Sequence, residues 1–219
     1  MTDQQHSEIA VRIMRRLGLD PALLDEPVPS FDLVAFRIEQ AEKNLSRCPD
    51  MFLEAKTENP TCIDWVRNFI ESPSKANSIL LSGPTGRGKT WEAWGMIRDC
   101  AMGFAALGRG LYWKTISHPD FNAAMRPGGE VAAETVLTDL MDIDLLFFDD
   151  ISAGLNTGWT AENLYRLVDR RWSNRKPTIY STNLSPKALA EAVGDRVVSR
   201  LSSAERVTFR GPDRRMEAA

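Results

Sequence analysis

Eight consecutive residues, Gly83-Pro84-Thr85-Gly86-Arg87-Gly88-Lys89-Thr90, fit the spacing G-x-x-x-x-G-K-[ST]. That spacing is the phosphate-binding loop when a strand precedes it and a helix follows. Here an apolar run, residues 78–82, precedes it, and a helix-forming stretch from 91 to 107 follows. The glycines let the backbone curl until successive N–H groups point inward at phosphate oxygens. The following helix adds the positive end of its dipole. Lys89 would reach the β- and γ-phosphates, and Thr90 would hold Mg²⁺ through its hydroxyl. The implied ligands are ATP and Mg²⁺. A glycine-rich turn before a core helix is the bland alternative.

A second signal lies sixty residues on. Leu145-Leu146-Phe147-Phe148 is an apolar run that ends in Asp149-Asp150. Carboxylates at the C-terminal tip of a buried strand sit where open α/β sheets bind ligands. Asp149 would hold Mg²⁺ through its water shell. Asp150 would orient the attacking water, the task usually given to a glutamate. Being one methylene shorter, it suggests slow hydrolysis, or hydrolysis that waits for a partner. After the next apolar run comes Ser181-Thr182-Asn183. Asn183 both donates and accepts hydrogen bonds, which suits a site beside the γ-phosphate. Arg196 and Arg200 stand four apart, on one face of a helix. Such a pair could enter a neighbouring subunit's site, or form a solvated basic face.

These residues need a scaffold. Candidate strands fall at 78–82, 110–114, 144–148, 177–181 and 206–210, with helical stretches near 90–107, 120–141, 160–174 and 186–201. Strands alternating with helices predict an α/β fold with a parallel sheet covered on both faces. Upstream, residues 8–17, 31–45 and 60–70 read as amphipathic helices separated by prolines. Trp91 and Trp94, three apart, should face the sheet. The expected organisation is an N-terminal helical partner-binding module over 1–55 and an ATPase domain over 56–219. Helix 8–17 could dock in a partner's groove or pack on its own domain.

Bulk properties exclude little but bound much. At 219 residues the chain can bury one good core plus an appendage. Its apolar runs are too short to span a membrane, and the polar start, Met1 to His6, has no signal-peptide core. A cytoplasmic protein is expected. A net charge of −3 does not announce a nucleic-acid binder. Positive charge clusters late, in Arg166, Arg170, Arg171, Arg175 and Lys176, which reads as a solvated helix end or a DNA-phosphate contact. Cys48, Cys62 and Cys100 lack metal-site spacing and read as reduced thiols. His6 and His118 are too far apart to suggest a site.

Taken in order, the phosphate loop, residues 144–151, 162–171 and 175–185, and Arg196-Val197-Val198-Ser199-Arg200-Leu201 resemble the DnaC/IstB-like AAA+ ATPases. This is the helicase-loader and transposition-helper group. The resemblance runs from about residue 60 to the end of the chain. It implies a P-loop NTPase core in which Gly83, Pro84, Thr85, Gly86, Arg87, Gly88, Lys89 and Thr90 are Walker A. Asp149 and Asp150 become the Walker B acids, Asn183 sensor 1, and Arg200 the arginine finger with Arg196 beside it. Paired acids are common in this group. The group lacks a full C-terminal lid, and this chain ends soon after its last strand; Arg214 or Arg215 matches a sensor-2 place only loosely.

The first expectation is therefore an ATP-dependent loader of a DnaB-type replicative helicase, working as a homo-oligomer with nucleotide between subunits. Loader relatives use the segment between the second and third strands to bind single-stranded DNA. Here that segment, 116–141, holds one basic residue, Arg126, which argues against this route. The alternative within the group is an ATPase that helps a transposase and binds duplex DNA with strong salt dependence. A small-molecule kinase would need an arginine-rich lid that the sequence does not show. A nucleotide-gated adaptor would bind ATP and barely hydrolyse it.

Overall fold

The computed structural model describes residues 32–126, 132–151 and 158–213. In chain order the elements are α1 (Leu33–Leu45), α2 (Pro60–Glu71), β1 (Ile79–Ser82), α3 (Lys89–Ala106), β2 (Trp113–Ser117), α4 (His118–Ala124), α5 (Ala133–Asp142), β3 (Leu145–Asp149), α6 (Gly158–Ser173), β4 (Thr178–Thr182), α7 (Pro186–Val193), α8 (Asp195–Leu201) and β5 (Glu205–Thr208). Helix starts follow capping chemistry. Asn59 and Ser185 accept hydrogen bonds from first-turn N–H groups, and each is followed by a proline whose missing N–H costs nothing there.

The five strands form one parallel sheet in the order β2-β3-β4-β1-β5. Side chains alternate across it, as strand geometry requires. Ile79, Leu81, Leu145, Phe147 and Ile179 point into one core, shared with α2 and α3. Leu80, Leu146, Phe148 and Tyr180 point into the other, shared with α4 to α8. Both faces are covered, which is why the central strands read as unbroken apolar runs. This is the expected α/β P-loop architecture.

The elements differ from the sequence reading in four places. β2 starts at Trp113, because its ladder with β3 opposes Trp113 to Leu145 and Ser117 to Asp149. The helix expected over 120–141 is two helices, α4 and α5; residues 127–131 lie outside the described residues. The helix expected over 186–201 is broken at Gly194 into α7 and α8. Finally, the 55/56 boundary falls inside a compact unit that runs from Val34 onward. Leu45, Cys48 and Ala55 are buried in the core that holds Trp65, Phe69 and Phe104. Apolar burial thus ties residues 34–55 to the sheet domain. The expected helix over 8–17, and Arg214 and Arg215, lie outside the described residues.

Trp94 is buried, edge-on to Trp113 and Phe147, and Trp91 packs against the same core. The three cysteines are free and buried, and burial pushes their thiols upward. Among the described residues no helix is long and apolar enough to cross a membrane.

Candidate nucleotide-binding site

The phosphate loop leaves β1 at Ser82 and enters α3 at Lys89. Gly86 and Gly88 hold φ of +79° and +86°, a region that side chains with a Cβ rarely adopt. A Cβ on Gly86 would also run into the carboxylate of Asp213. Gly88 is the N-cap of α3 and offers no capping side chain, so the first N–H groups of that helix are not satisfied by a cap. Uncapped amides at a helix start, joined to a glycine turn, suit an anion of phosphate type.

The lysine side chain turns back over this loop. Lys89 is 6% exposed, and its Nζ donates to the carbonyls of Gly83 (2.7 Å) and Pro84 (2.8 Å) and to Asn183 Oδ1 (2.6 Å). Asn183, just past the tip of β4, uses its other end to donate from Nδ2 to Asp150 Oδ1 at 3.0 Å. A single amide therefore bridges the loop lysine to the second acid. A γ-phosphate received by Lys89 would enter where these three residues meet.

The neighbouring contacts gather around Asp149. Its Oδ1 accepts from Ser181 Oγ at 2.6 Å and from Thr90 Oγ1 at 3.3 Å. Ser181 Oγ in turn accepts the backbone N–H of Asp150 at 2.8 Å. A hydroxyl and a carboxylate side by side at the loop fit Mg²⁺, which takes one or two protein oxygens and fills its shell with water and phosphate. Thr90 and Asp149 are the residues that would hold it.

Asp150 has positive φ, +50°, and so leaves the strand abruptly. Burial, then the charge of Asp149, raise its pKa; Lys89 and His118 pull the other way. A carboxylate that holds its proton more readily is a better general base than an ordinary aspartate.

The structure thus brings together Lys89, Thr90, Asp149, Asp150 and Asn183. It does not bring Arg196 or Arg200 to them within one chain. Both stand on α8 and contact α6: Arg196 with Glu162 and Tyr165, Arg200 with Asp169 and Trp172. Two residues at the site escaped the sequence reading. The sequence marks Ser181 only as part of a polar tip, yet its hydroxyl bonds Asp149 and the backbone of Asp150. His118 is 1% exposed, packs edge-on to Phe148 at 5.8 Å and acts on Asp150. Only the β2–β3 register, which sets Ser117 opposite Asp149, reveals its place.

No protein-family model matches the chain. It is 28% identical over 139 residues to the replicative helicase loader DnaC of Escherichia coli K12, covering 62% of this chain and 54% of that one. It is 28% identical over 119 residues to an ATP-binding protein described for insertion sequence IS1162 of Pseudomonas fluorescens, covering 54% and 46%. Its fold superposes on the crystal structure of DnaI with a TM-score of 0.63, at 17% identity, over 76% of this chain and 93% of that one. It also superposes on the replication initiator DnaA bound to AMPPCP and single-stranded DNA, with a TM-score of 0.58, at 23% identity, over 75% and 51%. The chain is similar to the DnaC/IstB-like AAA+ proteins. It spans about half the length of the curated relatives it matches.

Proposed function

We propose that the chain binds ATP with Mg²⁺ at the phosphate loop, hydrolyses it, and serves in DNA replication as a loader of a DnaB-type replicative helicase. The observation that carries the reading is the double network at the strand tips. Thr90 and Asp149 form one half, and Lys89, Asn183 and Asp150 form the other. Main-chain amides and Lys89 would bind the triphosphate. Asp150 would accept a proton from the attacking water, and Asn183 would orient both. The cation would neutralise phosphate charge.

Arg200, with Arg196 beside it, would act on the nucleotide of an adjacent copy, since neither joins the site within one chain. Catalysis then requires a homo-oligomer, and ATP becomes the signal for assembly. Residues 1–31 are the candidate grip on the helicase, because 34–55 belong to the sheet domain. Single-stranded DNA is the candidate trigger for release.

A second reading is supported by the insertion-sequence relative: an ATPase that helps a transposase and binds duplex DNA. Co-purification separates the two. Tagged full-length chain is offered a DnaB-type helicase or a transposase, each with ATP and with ADP. Retention of the helicase, dependent on ATP and lost when residues 1–31 are deleted, supports the loader. Retention of the transposase alone, with duplex DNA binding that weakens steeply with salt, replaces it with the second reading.

A further inference from the structure

The two arginines of α8 are held differently. Arg200 Nε donates to Asp169 Oδ1 at 2.8 Å, and its guanidinium carbon lies 4.4 Å from the centre of the Trp172 ring. Arg196 lies 3.6 Å over the Tyr165 ring but reaches Glu162 only at 3.9 Å. The Arg200–Asp169 pair is 29% and 33% exposed, against 66% and 59% for Arg196 and Glu162. The platform under Arg200 is itself fixed. Trp172 Nε1 donates to Ser203 Oγ at 3.0 Å, and that hydroxyl donates to the carbonyl of Arg200 at 2.8 Å. A closed ring of contacts joins guanidinium, indole, serine and backbone.

Anchoring through Nε has a consequence. Nε is the inner nitrogen, so one charge-assisted bond sets the plane of the guanidinium and occupies one of its five N–H donors. A free arginine must lose its rotamer freedom when it meets a phosphate. An arginine already ordered on Asp169 and Trp172 does not.

We propose that Asp169 is a positioning residue that presets Arg200 for the triphosphate bound by a neighbouring copy. This rests on the reading of Arg200 given above. Asp169 touches no substrate; it acts through Arg200, and Trp172 supports the same geometry. Arg196, whose partner Glu162 stands at 3.9 Å with both side chains largely exposed, is not preset in this way.

Steady-state ATP turnover of the full chain tests this, with protein concentration raised until specific activity is constant. Four variants are compared with the parent: Arg200→Ala, Asp169→Ala, Asp169→Asn and the Asp169→Ala/Arg200→Ala double. Arg200→Ala is expected to lower kcat at least about tenfold. Asp169→Ala is expected to lower kcat about three- to tenfold with KM for ATP within about twofold. Asp169→Asn keeps an acceptor oxygen and should recover part of that loss. The double variant should be no slower than Arg200→Ala alone, because Asp169 has nothing left to position. Three results overturn the proposal: Asp169→Ala turning over like the parent, a double variant whose losses multiply, or a loss in Asp169→Ala that the asparagine does not relieve. The reading of Arg200 fails separately, if Arg200→Ala itself retains full turnover.

Discussion

Asp150 carries two local costs: a backbone turned to positive φ and a carboxylate set beside Asp149 in a partly buried place. Such costs gather at functional sites, and relieving them should stabilise the fold while harming the chemistry. Asp150→Asn suits the test because asparagine tolerates this backbone region and still accepts from Asn183. The sign follows from linkage. A carboxyl whose folded pKa lies above its unfolded value of 3.8 subtracts stability at pH above both, and the subtraction vanishes as pH falls below 3.8. The variant should therefore melt a few degrees higher than the parent near pH 7 to 8, by about 2–4 °C per kcal/mol for a domain this size. Its advantage should narrow as the pH is lowered toward 4, while turnover falls about a hundredfold or more. Equal melting temperatures at neutral pH would show that the strand tip does not penalise the acid. Lys89→Ala should weaken ATP binding at least about tenfold in calorimetry with the fold intact by circular dichroism, since a charged contact to phosphate is worth about 1.5–3 kcal/mol. The residues legible in the sequence are those of fixed local spacing, the loop above all. Ser181 and His118 were not, because their role depends on which strand tips stand side by side.

At the scale of elements, Arg171 shows how a basic run misleads. The sequence places it in a charged helix end, yet it is 1% exposed. Its Nη1 donates to the carbonyls of Leu140 (2.8 Å), Met141 (3.3 Å) and Ile143 (2.8 Å), its Nη2 to that of Pro177 (2.7 Å), and its Nε to Thr178 Oγ1 (2.8 Å). One side chain thus ties α6 to the end of α5 and the entry of β4. Burial lowers its pKa to about 10, and the carbonyl ends of α5 offset the cost of an interior cation. Arg171→Met keeps bulk but strips four carbonyls of this donor. It should cost about 3–5 kcal/mol in urea unfolding; a loss under about 1 kcal/mol would mean that water replaces the guanidinium. Helix α3 offers the opposite lesson. Helix propensity alone favours Gly95→Ala by about 1 kcal/mol. A Cβ there, however, would run into the backbone of Lys56 and Thr57. That segment cannot retreat easily, because Glu92 accepts the adjacent N–H groups of Glu58 (3.0 Å) and Asn59 (2.8 Å). Overpacking of this kind costs about 1–3 kcal/mol, so the net effect should be a lower melting temperature. A rise would mean that the 56–59 segment yields. The parallel sheet and its two covered faces were legible from strands that alternate with helices; the strand order was not. The start of β2 was not, since residues 110–117 suit a strand throughout and only pairing with β3 selects the register.

For the whole molecule, the proposed catalytic arrangement is one the single chain does not contain. Lys89, Thr90, Asp149, Asp150 and Asn183 converge at the carboxyl edge of the sheet, whereas Arg196 and Arg200 hold to α6. If, as proposed, Arg200 serves the nucleotide of an adjacent copy, the two sets are half-sites that complement each other. In a mixture of Arg200→Ala and Asp150→Asn protein, each pure oligomer lacks one half at every interface. Where an Arg200→Ala copy, with its acid intact, binds nucleotide against an Asp150→Asn copy with its arginine intact, the site is complete. At a one-to-one ratio with random assembly, about a quarter of interfaces recover both groups, so turnover should climb toward roughly a quarter of the parent's. Activity should fall off as either variant is taken to excess, and it should vanish below the concentration at which copies associate. If the mixture turns over no faster than the sum of its parts while light scattering shows assembly, the arginine does not act across the interface. Turnover independent of protein concentration in the parent would say the same, because a site completed within one chain has no need of a second.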